Sequence, residues 1–142
     1  LITDLHQSIT YKNEKLFTRY ERDYPNALLA APVALKELIK FFWLSKKHQQ
    51  DLLLKPYAKH LQFQCAIHQE MGDIDSMWHT FLLYSKEYQT FCLTHFDGQF
   101  IHHEPKEDST SMVGEIELTY YLEYIEQHLG LSTLKLWFQV TD

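Results

Sequence analysis

Leu35, Leu38, Ile39 and Phe42 recur at i, i+3, i+4 and i+7, with Lys36, Glu37 and Lys40 on the other side. That spacing draws one apolar stripe down a helix of 3.6 residues per turn. It predicts an amphipathic helix running to about His48, with Pro32 in the first turn, where its missing N–H costs nothing. Upstream, residues 1–8 read as a frayed lead-in. Leu16, Phe17 and Tyr20 predict a helix within Ile9–Tyr24 that Pro25 closes. Residues 51–60 look helical but are interrupted by Pro56. "LQFQCAI" then changes period: Leu61, Phe63, Cys65 and Ile67 alternate as in a strand. A lone strand has no partner to pair with, so this is read as an extended segment packed on helices.

"DIDSMWHTFLLYS" carries the clearest helical stripe, Ile74, Met77, Trp78, Phe81 and Leu82. Asp73 is placed to cap it, and Asp75 lies in the first turn, where the dipole favours a carboxylate. "KEYQTFCLTHFDG" continues with Tyr88, Phe91, Cys92 and His95, and Gly98 suits a helix C-terminus. Propensity does not decide whether these are one helix or two. Residues 104–114 are polar and read as a loop. "EIELTYYLEYIEQHLG" predicts a helix with Leu118, Tyr121, Leu122, Ile125 and Leu129 inward and Gly130 as its stop; Ser132 would cap a last short helix. The expectation is an all-α fold: one compact helical domain over residues 1–142, of about five or six helices with a short extended segment. Within it the distinctive motif covers 73–105, the polar loop 104–114 and the C-terminal helices 115–138.

Composition supports this. Only four Gly and four Pro occur in 142 residues, too few for the frequent turns of an all-β chain. Aromatics at 15% predict a core of large side chains. The net charge is −6 with no basic stripe, so nucleic acid is not an expected partner. Lys outnumbers Arg 11 to 2, which speaks of base composition rather than role. No apolar run is long enough to span a bilayer, so no membrane is expected either. The chain opens on Leu1, as a trimmed or processed chain would, and shows no signal-peptide pattern. Two cysteines make no disulfide framework, which points to a reducing, cytoplasmic compartment.

Nine histidines raise a metal question. Asp75 and His79, at i and i+4, share a helix face on the flank of the Trp78 stripe. Cys92, His102 and His103 follow within a few turns. Cysteine, histidine and aspartate are the donors that suit Zn²⁺. A straight helix, rising about 1.5 Å per residue, would hold Cys92 roughly 20 Å from His79. A shared site therefore needs a break near Ser85; without one, His79 pairs with the two-histidine segment alone. Adjacent histidines in extended chain point to opposite sides, so only one faces a given site; Phe100 and Ile101 leave the parity open, and His103 is favoured because Pro105 fixes the chain just beyond it. The bland readings are a buried hydrophobic Cys92, a dipole-satisfying Asp75, and a motif that merely builds the core. Catalytic residues are not assigned.

"DIDSMWHTFLLYSKEYQTFCLTHFDGQFIHHEP" resembles the glycine-rich domain-containing protein-like family. The residues that carry the resemblance are Ile74, Asp75, Trp78 and His79, then Tyr88 and Cys92, then Phe96, Gly98, Phe100, His102 and His103. "ELIKFFWLSKKH" and "YYLEYIEQHLGLSTLKLWF" are similar to the helix before and the tail after that motif. Asp97 makes the Phe-Gly step one residue longer than the family's, and Phe81 stands where relatives often carry a second histidine. The family is largely uncharacterised. The resemblance implies a shared polar constellation and a helix break between the Trp-His and Cys segments, but no activity. The leading expectation is a divalent-metal site, zinc foremost, from His79, Cys92 and one of His102 or His103, with Asp75 as fourth ligand or orienter, and no other cofactor. The alternatives are a non-catalytic interaction or scaffold domain with an unknown protein partner, and an enzyme that uses the Cys92 thiolate.

Overall fold

The computed structural model describes residues 4–99, 101–103 and 114–140. Among them lie seven α-helices, two 3₁₀ turns and no strand, so the fold is all-α. Phe100 and the polar segment 104–113 fall outside the described residues. Contacts divide the chain into two compact units, Leu1–Trp43 with Ile67–His102, and Leu44–Ala66 with His103–Asp142.

The first unit begins with a single-turn helix, α1 (Leu5–Ser8), where the sequence suggested only fraying. The Asp4 carboxylate accepts the His6 N–H at 3.0 Å and so starts the turn. In α2 (Glu14–Asp23) Asn13 does the same for Lys15 and Leu16, and Leu16, Phe17 and Tyr20 turn inward. Helix α3 (Ala31–Leu54) outruns its expected end by six residues and serves both units, changing over after Trp43. Its stripe of Leu35, Leu38, Ile39 and Phe42 is buried as the spacing requires. Glu37, expected on the polar side, is also buried; Lys40, one turn on, meets its carboxylate at 3.0 Å, the partner a buried charge needs.

Helices α4 (Gly72–Leu83) and α5 (Ser85–His95) complete this unit. They are separate, because Tyr84 takes a non-helical conformation, φ −101°, ψ 63°. Asp73 does not cap α4. It lies inside the helix and accepts the Leu28 and Leu29 N–H groups at 2.8 and 2.9 Å, tying the α2–α3 link to α4. The core is aromatic. Phe42 meets Trp78, Tyr88, Phe91 and Phe96 at centroid distances of 5.1–6.3 Å, mostly edge-on or tilted, the geometry ring quadrupoles favour.

The second unit is built from the later part of α3, the segment 55–66, α6 (Glu115–Leu129) and α7 (Leu131–Phe138). Its extended segment is neither helix nor strand apart from the 3₁₀ turn Lys59–Leu61. The expected alternation holds only at its start: Leu61 and Phe63 are buried while Gln62 and Gln64 face water, but Cys65 and Ile67 are half-buried like Ala66 and His68. On α6, Tyr121, Tyr124 and Ile125 are buried, and Leu118, Leu122 and Leu129 only partly so. The two tyrosines reach polar partners, Tyr121 Oη donating to the Ala66 carbonyl at 2.8 Å and Tyr124 Oη to Asp51 Oδ2 at 2.7 Å. Lys47 Nζ also binds Asp51, at 2.6 Å. Burial alone would raise the Asp51 pKa, but the bonds from Lys47 and Tyr124 outweigh it and hold the carboxyl below its usual range. Gly130, φ +93°, joins α6 directly to α7, so Ser132 falls within the last helix rather than at its cap.

His48 is buried, stacked on Phe63 at 4.1 Å with Nε2 3.0 Å from the Leu61 carbonyl. Burial lowers its pKa below 6.5. The unfolded chain then takes up a proton that the folded one refuses, so this contribution is intact above pH 6.5 and fades as pH falls toward the folded value. His95 and His128 shift the same way, again chiefly through burial. Asp23 and Asp51 are lowered from 3.8 and act only nearer that pH. Between about pH 7.5 and about pH 5.5 the protein should lose stability, His48 supplying no more than about 1.4 kcal/mol per pH unit. Urea midpoints in chelator check this. An equal loss with pH in His48→Asn would remove His48 from the account.

Candidate functional site

The first turn of α4 places Asp75, and the next turn places His79 above it on the same face. His79 Nε2 and Asp75 Oδ2 are 3.6 Å apart; the imidazole is half exposed and the carboxylate largely covered. The opposite flank faces inward. There Trp78 Nε1 donates to Tyr88 Oη at 3.0 Å, and Tyr88 Oη donates in turn to the Ile101 carbonyl. Burial pushes the Tyr88 pKa well above 10, so the hydroxyl stays protonated and can make this bond.

The relay fixes the two-histidine segment. Ile101 is buried, His102 exposed and His103 half-buried, the alternation of extended chain. His103 is one peptide bond beyond His102, where the first unit ends. Asp75, His79 and His103 each offer one ligand atom, and these atoms lie within 4.8 Å of one another.

Two candidates stay out of this group. His102 points the other way, as the parity argument requires. Cys92 is 1% exposed on the inward stripe of α5, within hydrogen-bonding reach of the Tyr88 hydroxyl. The break that a shared site needed does occur, at Tyr84, and Tyr88 and Phe91 on α5 pack against Phe42. Cys92, so deeply covered, also lacks the access a thiolate nucleophile requires. The second cysteine, Cys65, is no more reactive: burial pushes its thiol up to about 12, against a smaller opposing bond from Ser45.

The stretch that holds His79, Cys92, His102 and His103 is also similar to a known family model. Residues 57–115 match the UCP032817-like family. This corrects the resemblance drawn from the sequence: the family is an uncharacterised one and not the glycine-rich domain-containing family. The Trp-His, Cys and His-His residues all fall inside the matched span. The match covers less than half of the chain. Among curated proteins and among solved structures none matches. No helix of the described residues is long and apolar enough to cross a membrane.

The sequence reading gave no weight to Lys15, Arg19 and Arg22 or to Tyr84. The available signal was that the chain's two arginines stand three residues apart on one helix, in step with Lys15.

Proposed function

We propose that this chain is a small helical metal-binding module, with Asp75, His79 and His103 holding a divalent ion, Zn²⁺ foremost. The supporting observation is the convergence of the three ligand atoms within 4.8 Å. In a tetrahedral zinc site with bonds of about 2.0–2.1 Å, neighbouring donors stand roughly 3.3 Å apart. The Asp75–His79 separation of 3.6 Å is already near that value. The longer approach closes by side-chain rotation, for which the half-exposed His79 has room. Two imidazoles and one carboxylate are the donor set of many catalytic zinc sites, and three protein donors leave a coordination position for water. Asp75 and His79 share one face of α4, and His103 lies two residues beyond Ile101, whose carbonyl accepts from Tyr88.

The test is metal analysis of protein purified without a His tag. The expected result is about one zinc per chain, lost in His79→Ala and in His103→Ala. Absence of bound metal, with melting unchanged in both variants, rejects the reading.

One observation favours a second reading, a non-catalytic interaction domain. The Trp78–Tyr88–Ile101 relay makes the motif a folding staple whether or not a metal binds. Leu53 and Leu54 in the last turn of α3 and Tyr57 just beyond it are exposed, apolar surface a protein partner could cover. Under that reading Tyr88→Phe weakens the fold, and chelators change nothing.

A further inference from the structure

The outer face of α2 forms a concavity of about 450 Å³ lined by Glu14, Lys15, Thr18, Arg19, Arg22 and Tyr84. It is a shallow depression open to solvent, which suits a small ligand held mainly by charge. Both arginines of a chain with only two, and net charge −6, face this one place. Lys15, Arg19 and Arg22 follow at i, i+4 and i+7, so helix geometry stacks the three cations along one side.

The cations are held but not used up. Asp23 accepts Nε of Arg19 at 2.6 Å and Nε of Arg22 at 3.1 Å, so one carboxylate serves two guanidinium groups. A guanidinium carries five N–H donors, of which these ion pairs take one each, and Arg19 also has a side-chain hydrogen bond with Tyr84. Lys15 meets Glu87 at 3.2 Å with most of its side chain in water. Exposed pairs of this kind contribute little and exchange readily, so an incoming dianion can take over their donors. The Thr18 hydroxyl adds a donor, and Tyr84, half-buried at the α4–α5 break, offers an apolar face beside the cations.

We propose that the concavity formed by α2 and Tyr84 binds a small phosphomonoester, its phosphate on Arg19, Arg22 and Lys15 and its planar organic part against Tyr84. Arginine forks match phosphate oxygens in a way that a lysine point charge does not. The proposal does not depend on the metal reading and involves different residues.

The probes are phenyl phosphate and inorganic phosphate, titrated into ¹⁵N-labelled full chain in chelator at constant ionic strength. Phenyl phosphate should saturate with Kd at or below about 1 mM, bind more tightly than inorganic phosphate, and shift amides confined to α2 and around Tyr84. Arg19→Gln and Arg22→Gln should each weaken it roughly 10-fold or more. Arg22→Lys, which keeps the charge and loses the fork, should fall between, and Lys59→Gln should have no effect. Both arginines lie on the surface, so melting should barely move. Affinity unchanged in the glutamine variants, equal binding of the two probes, or shifts spread over the whole surface would each overturn the assignment.

Discussion

Phe42→Ala is expected to destabilise the first unit by about 3–5 kcal/mol, the range for truncating a buried phenylalanine. Phe42 is fully covered, and its ring is the common neighbour of Trp78, Tyr88, Phe91 and Phe96. Aromatic walls carried on α4, on α5 and at the C-terminus of α5 cannot all relax into the gap, which places the cost toward the upper end. Urea unfolding followed by tryptophan fluorescence measures it, with Val33→Ala as the comparison. Val33 is exposed on the same helix, and its truncation should stay within about 0.5 kcal/mol. Similar losses in the two variants would mean that Phe42 is not the centre of the core.

Zinc should raise the melting temperature of the metal-free protein. A ligand that binds only the folded state at a hundred times its dissociation constant stabilises by about 2.7 kcal/mol. For a chain of this size that corresponds to several degrees. His79→Ala and His103→Ala should abolish the increment, whereas His102→Ala, which alters the exposed neighbour, should keep it. Magnesium, which prefers oxygen donors and an octahedral shell, should give far less. The same rise with magnesium, or a rise surviving in His79→Ala, would show the stabilisation to arise elsewhere.

Local periodicity carried most of the fold. Leu35 to Phe42, Ile74 to Phe81 and Tyr88 to Cys92 all bury the stripe their spacing draws, because helix geometry alone decides which residues share a face. What the spacing could not show was set by distant partners. Helix α3 continues past His48 through a polar run, held by Lys47 and Tyr124 bonding Asp51. Asp73 has good capping chemistry, yet two backbone N–H groups 44 and 45 residues away claim it. Glu37 reads as solvent-facing but is covered by tertiary packing.

The candidate site divides in the same way. Asp75 and His79 were legible because one helical turn brings them together. Alternation of extended chain said that only one of His102 and His103 could face the site, and Pro105 just beyond was the sequence's reason to prefer His103; the bond from Tyr88 to the Ile101 carbonyl is visible only in the fold. Cys92 was drawn in by donor chemistry, but the direction of its stripe depends on how α5 leaves Tyr84, and no local rule supplies that angle. The arginine-lined concavity was missed for a related reason: Tyr84 is a distant residue that only the fold sets beside α2.

Gly130 bears on the order of assembly. Its φ of +93° and ψ of 162° lie in a region essentially closed to residues with a Cβ. One residue therefore both ends α6 and starts α7, and the pair meets with almost no chain left to close. Loop-closure entropy, which slows contacts between distant segments, is close to its minimum here. The α6–α7 corner is thus the part of the second unit best placed to act as a local folding seed, forming on the microsecond scale of helix and short-loop dynamics before any long-range packing is needed.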